Sequence, residues 1–169
     1  DDNIVDLIKT ESKNGTLVIE IEKSIRTKKA PRIDITIPTL ISAKVNGSGD
    51  IFIHNFDAET MTLNVNGSGD IKAEGNCKTL EASLNGSGDI SCNGTSETVD
   101  ASVNGSGDLK LKQFTARYVT AKVNGSGDIS IYASESFEGF VSGSGDIKCY
   151  GNPEFRKSKV KGSGDIDFK

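Results

Sequence analysis

The sequence predicts an all-β fold, a right-handed parallel β-helix of about seven coils, from three observations. The tetrapeptide Gly-Ser-Gly-Asp recurs, aliphatic residues keep fixed places around it, and no stretch has helical periodicity. The repeat spacings are 20, 19, 19, 20, 18 and 19 residues, and a period near 19 that tolerates slips of one is typical of a solenoid. The seven repeat aspartates are Asp50, Asp70, Asp89, Asp108, Asp128, Asp146 and Asp165.

The aliphatic pattern predicts two short strands on either side of each Gly-Ser-Gly-Asp corner. With the aspartate as position zero, positions −9, −7, −5 and +3 are small or apolar in most copies, with polar residues between them. Equivalent strands stacked about 4.8 Å apart would bury a continuous column, giving a body roughly 34 Å long for residues 41–169. Position +1 is aliphatic in every copy: Ile51, Ile71, Ile90, Leu109, Ile129, Ile147 and Ile166.

Each letter of the corner has a predicted structural role. The residue before the first glycine is asparagine in five copies, which favours an amide ladder between coils. Both glycines are expected to permit positive φ, and the serine and aspartate side chains to close the turn through local backbone bonds. The ladder is expected to be incomplete at the C-terminal end, because Ser142 and Lys161 replace asparagine there.

The stacked aspartates are also the candidate interaction column, since the pattern points all seven outward. Carboxylates one coil apart would repel one another, and lysines at position +2 of alternate coils offset that cost. These lysines are Lys72, Lys110 and Lys148.

Residues 1–40 lie outside the repeat and are predicted to be N-terminal capping strands within a single 1–169 domain, truncated upstream of Asp1. Asn14-Gly15 predicts a type I′ hairpin, and Arg32 to Pro38 alternates like a further strand. At the other end, the positive charge of the final coil is expected to discourage end-to-end stacking. That charge comes from Arg156, Lys157, Lys159 and Lys161.

Composition and spacing argue against several function classes. A net charge of −4 with well-mixed charges disfavours a nucleic-acid surface, and the chain has no apolar run of 18 residues that would predict a transmembrane segment. The period near 19 differs from that of calcium-binding β-rolls, so no metal or other cofactor is predicted. No pair of carboxylates is singled out for catalysis, and the only histidine, His54, is expected to be a solvated surface residue. Cys92 and Cys149 lie three coils apart, too far for a disulfide, so these cysteines are expected to be small buried apolar residues.

The NGSGDI corners, together with "GTLVIEIEK" and "RIDITIPTLISAKVNGSGDI", resemble the GIN-domain family of auto-transporter adhesin heads. The resemblance covers nearly the whole chain. It implies a β-helix, a bacterial periplasmic, outer-surface or secreted location, and a role in cell adhesion without catalytic residues.

The expected function is therefore that of a non-catalytic, extracytoplasmic, adhesin-like binding protein that is not an enzyme. Its partner is unknown, and a glycan or a surface protein is the expected class. Repetition would give the lateral surface multivalency. The alternative is a β-helix protein that binds or cleaves polysaccharide.

Overall fold

A computed structural model describes residues 7–21 and 31–169. The chain divides into two compact units, Asp1–Thr36 and Ile37–Lys169, and each is described by itself. The prediction that the first unit caps the second stays a prediction.

The first unit contains the predicted hairpin. Strands β1 (Ile8–Lys13) and β2 (Thr16–Ile21) pair antiparallel, with Ile8 opposite Ile21. Asn14 and Gly15 have φ values of 51° and 76°, which is the positive-φ pair that a type I′ turn requires. The strand predicted for 32–38 is wrong: these residues form no strand, and the side chains of Ile33, Ile35 and Ile37 are all exposed.

The second unit is a parallel β-solenoid of about seven turns. Its strands are β3 (Ser42–Gly47), β4 (Ile51–Gly67), β5 (Ile71–Gly86), β6 (Ile90–Gly105), β7 (Leu109–Gly125), β8 (Ile129–Gly143), β9 (Ile147–Tyr150), β10 (Phe155–Gly162) and β11 (Ile166–Phe168). We number a coil by the repeat aspartate that precedes it, so that β4 to β8 are coils 1 to 5, β9 and β10 form coil 6, and β11 begins coil 7. The two short strands predicted per repeat are one bent strand of 15 to 17 residues in coils 1 to 5.

Register between the coils follows the repeat. Ile51 pairs with Ile71 and Ile71 with Ile90, so equivalent residues stack in columns. The predicted inward columns are the core: Ile71, Leu84, Val103 and Leu109 are completely buried. No polar or charged residue of the described ranges is buried as a whole, so the inward columns pack by apolar contact; Ser96 Oγ is a buried side-chain oxygen without a hydrogen bond.

The core columns end where the coils end. Ile41, which begins column −9, is 65% exposed, and Arg156 replaces an apolar residue at the same place in coil 6. The guanidinium of Arg156 lies 4.5 Å from the centre of the Phe168 ring, so a cation covers an aromatic ring that the last coil leaves partly exposed. The described residues include no helix long and apolar enough to cross a lipid bilayer.

Candidate functional site

The Gly-Ser-Gly-Asp corner is a seam of hydrogen bonds between coils. The backbone N–H groups of Ser68 and Gly69 both donate to the carbonyl oxygen of Gly47 in the preceding coil, at 2.8 and 3.0 Å. The N–H of Ile51 donates to the carbonyl of Asp70 at 2.9 Å, and the same pattern recurs at the later corners. The corner is therefore closed by the neighbouring coil, which satisfies polar backbone groups that a tight turn would otherwise leave unpaired.

The aspartate column takes part in this seam. Oδ1 of Asp50 accepts from the backbone N–H of Asp70 at 3.0 Å, and Oδ1 of Asp70 accepts from Asp89 N–H at 2.9 Å. The same bond joins each later pair of repeat aspartates. Oδ1 of Asp165 accepts instead from the N–H of the next residue, Ile166.

The predicted local turn closure by side chains is thus wrong for all but the last aspartate. The serine hydroxyls of the seven corners make no hydrogen bond within the described residues; the serine N–H donates to the preceding coil in the six corners after the first. The five inner aspartates, from Asp70 to Asp146, are half-buried, whereas Asp50 and Asp165 are exposed. One oxygen of each carboxylate is committed to structure, so the column is first of all a set of cross-links.

The prediction that lysines offset the repulsion between stacked aspartates is confirmed only at Lys110. Nζ of Lys110 lies 2.5 Å from Oδ2 of Asp89 and 4.0 Å from Oδ2 of Asp108. Partial burial would raise the pKa of Asp89, but the bonds from Lys110 and from the Asp108 N–H, with the charges of Lys110 and Lys72, hold it below its ordinary value. Lys72 lies 5.6 Å from the centre of the Phe52 ring, and Lys148 has no carboxylate within 4.0 Å among the described residues.

The asparagine ladder is confirmed and stops where predicted. Nδ2 of Asn85 donates to Oδ1 of Asn66 at 3.0 Å, and Oδ1 of Asn85 accepts from Asn104. Asn46 is the first member of the ladder and Asn124 the last, since Ser142 lies opposite Asn124 in the next coil.

From the second Gly-Ser-Gly-Asp corner onward, both glycines lie where an added Cβ would collide with the preceding coil, and the two differ in φ. The first has positive φ, as predicted; Gly67 is at 140°. The second is not in the left-handed region, which corrects the prediction; it is buried in the five inner corners and exposed at Gly49. A Cβ on Gly107 would lie 1.8 Å from the carbonyl oxygen of Gly88, so the coils approach too closely there for any side chain.

A second corner, which the sequence reasoning missed, lies about five residues after each of the first six aspartates. Position +5 holds Asn55, Gly75, Gly94, Gln113, Ala133 and Gly151, while the register places Phe56 opposite Gly75 and Phe114 opposite Gly94. Register shifts between coils fall beside it, between Ile53 and Phe56 and between Ser91 and Gly94. The 20-residue coils therefore place their extra residue at the second corner, and in coil 1 that residue is Asn55 with φ of 57°. The signal was available in the sequence as asparagine or glycine at position +5 of four coils.

A shallow groove of about 440 Å³ follows the second corner across coils 1 to 3. Three asparagines, two carboxylate residues, one phenylalanine and two glycines line it. Oδ1 of Asn76 accepts from both the N–H and the hydroxyl of Thr95, which fixes that side chain across the coils. The lining residues are Asn55, Phe56, Asp57, Glu74, Gly75, Asn76, Asn93 and Gly94.

The strip between the two corners presents positions +2 and +4 to solvent. The chemistry of these positions changes along the solenoid. In coils 1 and 2 they are Phe52, His54, Lys72 and Glu74. In coils 3 to 6 they are Ser91, Asn93, Lys110, Lys112, Ser130, Tyr132, Lys148 and Tyr150. His54 is exposed, as predicted.

A charge ladder that the sequence reasoning also missed runs along position −11. Its members alternate in sign, so each cation lies between anions of adjacent coils. Nζ of Lys78 lies 2.7 Å from Glu59 Oε1, and Nε of Arg117 lies 2.6 Å from Glu135 Oε1. The pKa of Lys78 is raised by the bond to Glu59, and that of Glu135 is lowered by the bond from Arg117. The ladder is Glu59, Lys78, Glu97, Arg117 and Glu135.

The cysteines are free thiols with the expected burial. Cys92 and Cys149 are buried, and Cys77 is half-buried. Burial raises the pKa of Cys92 to about 12 and the pKa values of Cys77 and Cys149 to about 11. The thiols therefore stay protonated at neutral pH, the form that is neither a nucleophile nor a metal ligand.

Within residues 7–21 and 31–169, no three His, Cys, Asp or Glu side chains come together as a set that could hold a metal ion. The stacked carboxylates of the aspartate column are spread along the axis, and each is bonded to the next coil.

Fold and surface together define a class: a parallel β-solenoid with an apolar interior, one invariant corner and a lateral strip of changing chemistry. The chain belongs to the family described as "Putative auto-transporter adhesin, head GIN domain", whose model matches residues 1–153. The resemblance read from the NGSGDI corners is thereby confirmed.

Solved structures agree with that assignment. A putative adhesin from Bacteroides fragilis NCTC 9343 is 32% identical with a TM-score of 0.92, over 99% of this chain and 79% of that one. A protein described as a putative lipid binding protein from Parabacteroides distasonis ATCC 8503 is 28% identical with a TM-score of 0.73, over 100% of this chain and 81% of the other. A putative adhesin from Parabacteroides merdae ATCC 43184, at 19% identity and a TM-score of 0.74 over 100% and 80%, shows the fold alone. No curated protein matches the chain.

Proposed function

We propose that this chain is a non-catalytic, extracytoplasmic, adhesin-like protein that binds its partner through the lateral strip between the two corners. The observation that carries the proposal is the in-register stacking of outward position +2 along coils 1 to 6, with position +4 in register between coils 2 and 3 and between coils 5 and 6. Equivalent positions recur once per coil, so one extended partner can make several weak contacts at once. Family membership and the adhesin neighbours support the same role.

The candidate aspartate column is a weaker choice for this surface. One oxygen of each carboxylate already accepts a backbone N–H from the next coil, except in the last. The strip beside it offers side chains that differ from coil to coil, and differing side chains are what specificity needs.

The test is a binding screen with the full chain. Immobilised neutral and acidic glycans, matrix proteins and lipid vesicles are the probes; vesicles are included because one neighbour is described as lipid binding. We expect retention on at least one class of glycan or protein, lost when the strip is altered by Lys112→Gln with Tyr132→Leu. Absence of binding to every probe contradicts the proposal and favours a structural spacer.

Polysaccharide cleavage is the second candidate, because the groove of coils 1 to 3 is lined by Asp57 and Glu74. Two carboxylates flanking a sugar chain are the groups that glycoside hydrolysis uses. A reducing-end assay on polysaccharides decides between the two: release that is abolished by Asp57→Asn or Glu74→Gln contradicts the non-catalytic proposal. We expect no release.

A further inference from the structure

The strip in coils 3 to 6 is positively charged on a chain whose net charge is −4. Its eight outward positions hold three lysines and two tyrosines and no carboxylate. We call the five residues Lys110, Lys112, Tyr132, Lys148 and Tyr150 the Lys–Tyr face. A local charge opposite to the net charge marks a surface that electrostatics can aim at a partner.

Two of the three lysines are without a carboxylate partner among the described residues. Lys110 is bonded to Asp89, whereas no Asp or Glu oxygen lies within 4.0 Å of Nζ of Lys112 or Lys148. Nζ of Lys112 lies 4.1 Å from the centre of the Tyr150 ring, which positions the ammonium without neutralising it. Asp167 lies opposite Lys148 in register, but its Oδ2 is 3.2 Å from Nζ of Lys169. The face therefore presents positive charges that an external anion can pair with.

The nearby aspartate column does not cancel these charges at position +4. Four residues of extended strand separate the two positions, about 13 Å along the chain. The Debye length at physiological ionic strength is about 8 Å, so exposed charges at that separation are largely screened from each other. Lys112 thus keeps most of its attraction for an anion, while Lys110 balances the column locally.

The tyrosines add apolar area that a simple anion would not need. Tyr132 and Tyr150 pair in register on adjacent coils, and both are half-buried. The Tyr132 ring lies against Gly151, where an added Cβ would be 3.2 Å from its Cζ. The Tyr132 ring is backed in this way, and both rings are partly open. Partly open aromatic rings can pack against the C–H faces of sugars while their hydroxyls form hydrogen bonds.

We propose that the Lys–Tyr face binds a linear acidic glycan that carries a uronate on alternate sugars and lies along the solenoid axis. The inference rests on the proposed function and names the partner class for that same strip. Lys112 and Lys148, the two lysines without a carboxylate partner, belong to coils 4 and 6, a separation of about 10 Å along the axis from the strand spacing. One coil matches the length of one sugar ring, so carboxylates on every second sugar meet lysines on every second coil.

Other anionic partners fit the face less well. Proteins that bind anionic membranes or nucleic acids usually carry more basic residues than three lysines, and their domains are usually basic, whereas this chain is acidic. An acidic peptide would pair with the lysines but would not require two adjacent aromatic rings on a flat strip.

The test measures binding of a decasaccharide of alternating glucuronate and N-acetylglucosamine to the full chain by calorimetry. Its carboxyl-reduced, neutral form, poly-glutamate and anionic phospholipid vesicles are the comparison probes. The variants are Lys112→Gln with Lys148→Gln, and Tyr132→Leu. Lys122→Gln is the matched control, because Lys122 is an exposed lysine of the same strand as Lys112 and has no ion pair among the described residues. Thermal melts verify that every variant is folded.

We expect the wild-type chain to bind the acidic decasaccharide and to bind its neutral form at least about tenfold more weakly, since each charged contact contributes about three- to tenfold. The double lysine variant should lose about tenfold and most of its salt dependence, Tyr132→Leu should lose less, and Lys122→Gln should bind as wild type. Equal binding by folded double variant and wild type overturns the inference, as does equal or tighter binding of poly-glutamate or vesicles. If only neutral glycans or proteins bind, the inference fails and the proposed function stands; if nothing in the screen binds, both fail.

Discussion

The Gly-Ser-Gly-Asp corner and the second corner turn the same chain by different means. At the first, each coil donates backbone N–H groups to the coil before it, and a second glycine lies where no side chain fits. At the second, the occupant varies from asparagine to glycine, glutamine and alanine, and register slips are absorbed there. The invariant corner therefore fixes the stacking of the coils, and the variable corner leaves room for differences in length and surface chemistry.

The largest expected effect comes from filling the space between two invariant corners. Gly107→Ala places a Cβ 1.8 Å from the Gly88 carbonyl oxygen, so the coils must separate, at a cost of about 3 kcal/mol. Gly49→Ala is the matched control: Gly49 is the same letter of the first corner, its φ is not left-handed, and an added Cβ would meet nothing within 4 Å. We expect Gly49→Ala to change stability by about 0.5 kcal/mol or less. Urea unfolding midpoints measure both, and similar losses would contradict the close-approach explanation.

A smaller effect is expected from breaking the asparagine ladder. Asn85→Ala removes one donor and one acceptor that join three coils, for a loss of about 1 to 2 kcal/mol. Asn46→Ala removes only the acceptor at the end of the ladder and should cost about half as much. Equal urea midpoints for the two variants would contradict a stabilising role for the ladder, because Asn85→Ala removes two amide hydrogen bonds between coils and Asn46→Ala removes one.

The seam should also weaken in acid at Asp89. Its pKa in the folded chain is held below the ordinary value of 3.8, so its contribution is present above pH 3.8 and is lost as pH falls through the lower folded value. Asp89→Asn keeps an oxygen that can accept the Asp108 N–H but removes the charge that Lys110 pairs with. We expect the variant to be less stable at pH 7 and to lose less stability than wild type between pH 5 and pH 2. Lys110→Gln should also reduce the loss of stability between pH 5 and pH 2. If both variants lose as much stability as wild type over that interval, the Asp89–Lys110 pair is not its cause.

The smallest effect is expected at the charge ladder. Arg117→Gln breaks the contacts to Glu135 and Glu97, but all three side chains are solvent-exposed. Exposed ion pairs contribute little and are screened by salt. The variant should melt slightly lower than wild type in dilute buffer and together with it in 1 M sodium chloride, and Lys122→Gln should show neither difference. A loss that persists in high salt would mean that Arg117 acts through packing.

The sequence was sufficient to predict the features that recur in every coil, but not the features that differ from coil to coil. Position +1 and the asparagines could be placed because identical residues stack at every coil, and inward columns follow from period-two alternation. The partner of each aspartate could not be predicted, since nothing local distinguishes a bond within the turn from a bond to the next coil. The second corner was missed because Gln113 and Ala133 interrupt its asparagine and glycine signal.

The structure favours a different candidate binding surface from the one that the sequence predicts. The sequence predicts the column of seven identical aspartates as the interaction surface, but the same residue recurs in every coil because its carboxylate bonds to a neighbouring backbone N–H. Residues that differ from coil to coil, such as Glu74, Lys112 and Tyr132 at position +4, give no repeat signal, and the strip they form became apparent only from the stacking of the coils.

Paired single-residue deletions test most directly the claim that one corner fixes the stacking and the other absorbs variation. Deleting Gln113 shortens coil 4 from 20 to 19 residues at the second corner, and deleting Ser106 shortens coil 3 at the invariant corner. We predict that the chain without Gln113 unfolds cooperatively with only a modest loss in urea midpoint, and that the chain without Ser106 loses cooperative unfolding. Equal losses from the two deletions would contradict the account.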